Sequence, residues 1–278
     1  MMLRRKITNI VFQLVCILAT LLGCAVLLAI LWTLFSRGIA GINWALFTES
    51  TPGPGSDGGL ANAIVGSVIM TGAGILIAAP IGILGGTWLA EFGQNSKVAS
   101  TIRFLNGMLM SAPSILIGLF VYEAVVLPMG HFSGWAGAIA LAIIALPVII
   151  STTEEMLKLV PTSLREAGSG LGTPKWRVIT QLGYRAVATG LITGVLLAIA
   201  RISGETAPLL FTALNNSFMS LDPNEAMANL PVTIYMFAMS PDPEWNQLAW
   251  SGALLITLTI LLLNIASRAL PRLAKKRK

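Results

Sequence analysis

Arg201 and Glu205 stand four residues apart inside an apolar run, in Arg201-Ile202-Ser203-Gly204-Glu205-Thr206-Ala207-Pro208. An ionised side chain within hydrocarbon is costly, and by default it marks a functional position. On a continuous helix this spacing places both groups on one face, where they can pair. Counting from Arg185, a rise of about 1.5 Å per residue carries Arg201 about 24 Å into a core about 30 Å thick, into its outer half. A guanidinium there offers a planar fork of donors suited to an oxyanion. Two readings follow: the pair neutralises itself as an internal ion pair, or Glu205 holds Arg201 until an anion competes for it. Gly204 and Pro208 make the helix breakable at this point. Thr206, beside Glu205, belongs to the same candidate pathway. Ser111-Ala112-Pro113-Ser114 interrupts another apolar run. Such a break frees backbone groups that need protein or water as partners. It is either a packing kink or a second lining element, which makes Ser111 and Ser114 candidate pathway residues.

A polar interval from Pro161 to Arg185 is too polar for lipid and too patterned for a linker. Ser163 followed by Glu166 has the spacing of a capping box, predicting a helix start near Leu164. Gly172-Thr173-Pro174 predicts a stop and a restart, with Gly172 ending one helix, Thr173 capping the next and Pro174 in its first position. The expected product is a helix–turn–helix knuckle outside the membrane.

Composition says what these groups are embedded in. Of 278 residues, 55% are hydrophobic and 11% charged, against about 25% charged in soluble domains. Mean hydropathy is +0.80. Apolar runs longer than about 18 residues make this a polytopic membrane protein. We place spans at 10–36, 61–90, 104–127, 132–153, 186–210 and 247–268, the knuckle at 161–182 and an outer loop at 214–246, all in a single domain over 1–278. The first run continues well past Cys24, longer than a signal peptide's apolar core, and reads as a span. The second is rich in small residues (Gly66, Gly72, Ala73, Gly74, Gly82, Gly85 and Gly86), which allow helices to approach closely in lipid.

Charge orients the spans. With the N-terminus inside, the inner segments carry Arg4, Arg5, Lys6, Lys97, Arg103, Lys158, Arg165, Lys175, Arg177, Arg185 and the tail from Arg268 to Lys278, while the outer segments carry only Arg37. That bias predicts both termini in the cytoplasm. It also removes nucleic acid as a partner: the net charge of +6 is spread along one membrane face, where it meets lipid.

Catalytic chemistry has little to work with. No Gly-rich loop ends in Lys-Ser/Thr, so the chain is not expected to hydrolyse ATP. The single histidine, His131, lies in an outer loop and reads as structural. Cys16 and Cys24 are eight apart on one predicted helix, too distant to bridge, and no metal-ligand spacing occurs. An intramembrane hydrolase lacks its paired groups. We expect no catalytic residue, no metal and no bound cofactor.

Glu166-Ala167-Gly168, three residues, then Gly172 follows the Glu-Ala-Ala-x-x-x-Gly signature of ABC-importer permeases. Gly59-Leu60-Ala61-Asn62-Ala63, Ser111-Ala112-Pro113-Ser114-Ile115, His131-Phe132-Ser133-Gly134-Trp135-Ala136-Gly137, Leu157-Lys158-Leu159-Val160-Pro161, Leu171-Gly172-Thr173-Pro174-Lys175-Trp176, Ala200 to Phe211 and Asn229-Leu230-Pro231-Val232-Thr233-Ile234 extend the likeness. Together they make the chain resemble the phosphate-specific ABC transporter permeases along nearly its whole length. The resemblance implies an all-α polytopic fold of the type I importer, MetI-like class, with six transmembrane helices and a cytoplasmic coupling helix in the bacterial inner membrane. It implies one half of a heterodimeric phosphate channel, partnered by a second homologous permease, a pair of ATP-binding subunits that hold ATP and magnesium, and a periplasmic phosphate-binding protein. Carried onto this sequence, the ATPase-docking residues are Arg165, Glu166, Ala167, Gly168, Gly172, Thr173 and Pro174. The chain departs from the signature at Gly168, where Ala is usual, and at Leu182-Gly183-Tyr184-Arg185, where the signature has Ile-x-Leu-Pro. Gly168 and Gly170 each weaken a helix by about 1 kcal/mol relative to Ala, so a partner is expected to help order the knuckle. A permease for sulfate or molybdate, and a sensory scaffold reporting transporter state, are the alternative functions.

Overall fold

The computed structural model describes residues 2–93 and 96–275, with side-chain environments for 4–93 and 96–269. Most of the basic tail therefore lies outside the described side chains. We label the helices α1 (Met2–Gly38), α2 (Ala61–Glu91), α3 (Lys97–Ser111), α4 (Ser114–Met129), α5 (Gly134–Lys158), α6 (Thr162–Gly170), α7 (Lys175–Ile202), α8 (Ala207–Thr212), α9 (Leu230–Ala238) and α10 (Pro243–Lys275). Among the described residues 5 helices are long and apolar enough to cross a membrane, and α3 with α4 makes a sixth if that bent pair is one span.

The core is the parallel pair α2–α5, whose contacts advance together from Gly74 against Ala138 to Gly86 against Ile150. Gly74, Gly82 and Gly86 of α2 lie on that face, and the backbones meet there. A Cβ at Gly82 would lie 2.7 Å from Ile149 Cγ2, and one at Gly86 would lie 2.6 Å from the Ile150 carbonyl oxygen. In lipid, where apolar surface alone does not drive helices together, close backbone approach supplies the dispersion contacts. Met70, Ala78, Leu141, Ala145 and Ile149 fill the seam, and Ile202 and Leu209 close it from α7 and α8. α1 stands apart, touching α10 near Gly38, where the Trp250 carbonyl and Leu254 leave no room for a side chain.

Two predicted spans and one predicted loop differ from the observed elements. The span at 104–127 is two helices bent by 103° at Ala112-Pro113. The span at 186–210 begins as far back as Lys175, passes through a π-helical turn at Val178–Gly183, and ends at Ile202. The second half of the predicted knuckle is thus the first turns of α7. The outer segment 214–246 contains α9, whose nine residues are too few to span and so left no transmembrane signal. Likewise the loop before α2 holds one helical turn, Ala45–Thr48, with Leu46 fully buried.

Side-chain amides tie the outer loops together. Asn62, 2% exposed, accepts from Thr51 N at 3.1 Å and donates to Thr51 Oγ1 at 3.0 Å and to the Asn216 carbonyl at 2.8 Å. Asp242 caps α10 by accepting from Glu244 N, and it also accepts from Gly55 N. These amide donors hold its carboxyl below the ordinary aspartate range. Replacing Asn62 by alanine strands buried donors and acceptors on two loops, with an expected loss of about 2–4 kcal/mol. A lowered unfolding midpoint in detergent checks this; an unchanged midpoint refutes it.

Candidate functional site

α7 stops one residue after Arg201. Ser203 Oγ donates to the Ile199 carbonyl at 2.7 Å, and Glu205 N closes a turn onto the Ile202 carbonyl at 3.2 Å. The chain then restarts at α8, with Pro208 in the first turn. The four-residue face rule therefore does not hold across Arg201 and Glu205. Among the described residues the ion pairs are Arg103–Glu154, Lys158–Glu154 and Arg165–Glu91, and Arg201 belongs to none of them. The expectation that Glu205 neutralises Arg201 fails in this structure: the helix that would have aligned them has ended. Arg201 is exposed on the surface of this chain, while Glu205 and Thr206 are half-buried.

The second break comes up against the first. Ser111 is exposed, and its hydroxyl donates back to the Gly107 and Met108 carbonyls at 3.2 and 3.0 Å, closing the end of α3. Half-buried Ser114 opens α4. One turn later a Cβ on Gly118 would lie 2.7 Å from Pro208 Cα, so α4 crosses α8 backbone to backbone. The two interrupted helices thus meet beside the turn that carries Glu205 and Thr206. A continuous α3–α4 would not bring Gly118 there.

The knuckle differs from its predicted form at both ends. α6 starts at Thr162 behind Pro161, and Ser163 makes no cap. Pro174 is the residue before α7 and not its first, and Thr173 caps nothing. The predicted stop at Gly172 is observed in detail. Gly172 has φ 73°, its N–H donates to the Ser169 carbonyl at 2.9 Å, and Thr173 N donates to the Gly168 carbonyl at 3.2 Å. That is a Schellman cap, and glycine is the residue that adopts the left-handed position at no steric cost.

The predicted docking set divides. Glu166, Ala167, Gly172 and Pro174 are exposed and Thr173 is half-exposed. Gly168 is buried, where an added Cβ would lie 3.0 Å from Leu182 Cδ1 and 3.1 Å from Val178 Cγ2, so an alanine there would have to displace those side-chain ends slightly. Arg165 turns inward. It donates from Nε and Nη2 to Glu91 Oε1 at 3.1 and 2.8 Å, from Nη1 to the Val160 carbonyl at 2.8 Å and from Nη2 to the Leu157 carbonyl at 2.7 Å. The knuckle is therefore ordered from within the chain, despite its glycines. Two exposed residues were missed: Leu171, 85% exposed, and Trp176, 60% exposed. Large apolar side chains in an otherwise polar interval were the available signal.

His131 is exposed, with Nδ1 3.1 Å from the Phe132 carbonyl oxygen. Among the described residues no cluster of three His, Cys, Asp or Glu side chains could hold a metal.

Residues 82–278 match the family described as binding-protein-dependent transport system inner membrane component. The chain is 56% identical over 264 residues to the phosphate transport system permease protein PstA of Pasteurella multocida, covering 95% of this chain and 94% of the relative. It is 56% identical to the protein of that name from Haemophilus influenzae, over 90% and 89% of the two chains. It is 35% identical to a probable one from Methanocaldococcus jannaschii, over 95% and 94%. Among solved structures, an inward-facing MetNI methionine ABC transporter chain superposes with a TM-score of 0.62 at 17% identity, covering 77% of this chain and 94% of that one.

Proposed function

Because this chain belongs to the binding-protein-dependent transport system inner membrane component family, we propose that it is the membrane channel subunit of an ATP-driven phosphate importer. The observation that carries the reading is Arg201, a guanidinium without an ion-pair partner among the described residues, set where a membrane helix breaks. An isolated cation in that position needs an anion. A planar fork supplies two parallel charge-assisted hydrogen bonds to a tetrahedral oxyanion such as phosphate. The site must be weak, because a tight one would trap the ion it passes. Glu205, Thr206, Ser111 and Ser114 line the approach, and the α4–α8 crossing sets its width.

The chain works as part of an assembly. A second homologous permease completes the channel around Arg201, and a periplasmic phosphate-binding protein delivers the ion to the outer loops. Two ATP-binding subunits dock on the knuckle and carry ATP and magnesium; this chain hydrolyses nothing and holds no cofactor. The bias of positive charge supports cytoplasmic termini and a cytoplasmic knuckle. Leu171 and Trp176, with Glu166, Ala167, Gly172, Thr173 and Pro174 around them, form the docking surface.

Uptake of labelled phosphate by proteoliposomes holding the complete complex tests the reading. Saturable, ATP-dependent uptake that a large excess of sulfate or molybdate leaves intact is expected. Strong competition by either anion would make the chain a permease for that ion, and ATP turnover without uptake would leave a sensory scaffold. For the docking surface, Leu171→Glu with Trp176→Glu buries two carboxylates against the partner. The expected result is loss of the ATP-binding subunits from the purified complex, at least about a hundredfold in affinity. Undiminished co-purification would move the docking site elsewhere.

A further inference from the structure

Two arginines bind the inner ends of the same two helices. Arg165, from α6, holds the Glu91 carboxylate at the last residue of α2 and the Leu157 and Val160 carbonyls at the end of α5. Arg103, from α3, does the converse. It donates from Nε to Glu154 Oε1 of α5 at 2.7 Å and from Nη2 to the Leu89 carbonyl of α2 at 3.0 Å. Each arginine thus takes one carboxylate and backbone carbonyl oxygen at a helix C-terminus, where a cation is also favoured by the helix dipole. Lys175, at the start of α7, adds a third hook. Its Nζ donates to the Glu91 carbonyl and lies 4.1 Å from the centre of the Phe92 ring.

The Glu91 side chain is only 6% exposed, and Arg165 is its ion-pair partner among the described residues. A buried carboxylate left without its cation is costly, so the joint resists opening. We propose that this paired-arginine joint is what converts movement of the knuckle into movement of the channel, with Arg165 and Glu91 as positioning residues for transport. Load on α6 passes through Arg165 to the inner ends of α2 and α5, which the glycine seam holds as one body. Arg103 makes α3 follow. Beyond its break, α3 continues as α4, whose Gly118 bears on Pro208 beside Glu205 and Thr206. The joint therefore links the knuckle to the region of Arg201 through packed contacts of one chain.

This rests on the knuckle being the ATPase-docking element, and the test keeps the two separable. In proteoliposomes of the full complex, Glu91→Gln keeps the acceptor shape and removes the charge, while Arg165→Lys keeps the charge and removes the fork. Both are expected to retain the ATP-binding subunits and to hydrolyse ATP. Phosphate moved per ATP should fall about tenfold for Glu91→Gln and less for Arg165→Lys, within the usual range of coupling energies. The double variant should be no worse than Glu91→Gln alone, because both remove one interaction. Wild-type phosphate per ATP in Glu91→Gln, or losses that multiply in the double variant, would overturn the joint. So would failure of both conservative variants to assemble, which would make the pair a folding element only. Retention of the ATP-binding subunits by the Leu171→Glu, Trp176→Glu variant refutes the docking reading and leaves the ratio for Glu91→Gln to be judged by itself.

Discussion

Arg201→Ala is expected to lower phosphate uptake by about a hundredfold or more, since it removes charge-assisted hydrogen bonds worth about 1.5–3 kcal/mol each. The complex should still assemble. Arg201 is exposed and outside every ion pair among the described residues, so truncating it strands no buried partner within the chain. Arg201→Lys keeps the charge but loses the planar fork, and uptake should recover only in part. Uptake at the wild-type rate in Arg201→Ala would remove Arg201 from the pathway. Glu205→Gln separates two roles: with no pair to break in this structure, the substitution should leave assembly unchanged and alter uptake far less than Arg201→Ala does.

The largest structural effect is expected at Gly66. A Cβ there would sit 2.0 Å from the Ala228 carbonyl oxygen and 2.8 Å from Met227 Cγ. The obstacle is backbone, which cannot rotate away as a side chain can. One residue further, Ser67 Oγ accepts from Leu230 N at 2.7 Å, so the approach of α2 to the start of α9 also satisfies an amide at a helix N-terminus. Gly66→Val must separate the two elements and lose that hydrogen bond. A destabilisation above about 4 kcal/mol, among the largest single-substitution effects, is expected. The readout is loss of membrane-inserted, protease-resistant protein; normal accumulation with an unchanged unfolding midpoint would refute it. Gly72→Val in the same helix is the control, because nothing lies within 4 Å of a Cβ at Gly72.

The readable part of the site was the part written locally. Gly172 as a helix stop follows from one residue type at one backbone angle, and the structure has it at φ 73°. Charge within an apolar run picked out Arg201 without any contact being known. What failed was pairing. Four-residue spacing implies a shared face only while the helix continues, and α7 ends at Ile202. Ser163 and Glu166 have capping-box spacing, yet Pro161, fixed in φ, opens the helix two residues earlier than expected. The signature assigned Arg165 to a partner's surface, but the side chain's partner, Glu91, is 74 residues away in the sequence.

By itself the sequence determined a membrane protein with several apolar spans and a positive-inside bias, a polar knuckle between two of them, and a cation stranded in hydrocarbon. These follow from transfer free energies and backbone preferences, which act residue by residue. Only the tertiary structure decided that Arg201 is free of Glu205, that α3 and α4 meet at 103° and deliver Gly118 to Pro208, and that Arg165 faces inward while Leu171 and Trp176 face out. The physical reason is that each of these depends on which helix ends meet. Helix C-termini present carbonyls that need donors, and at the inner ends of α2 and α5 arginines on other helices supply donors.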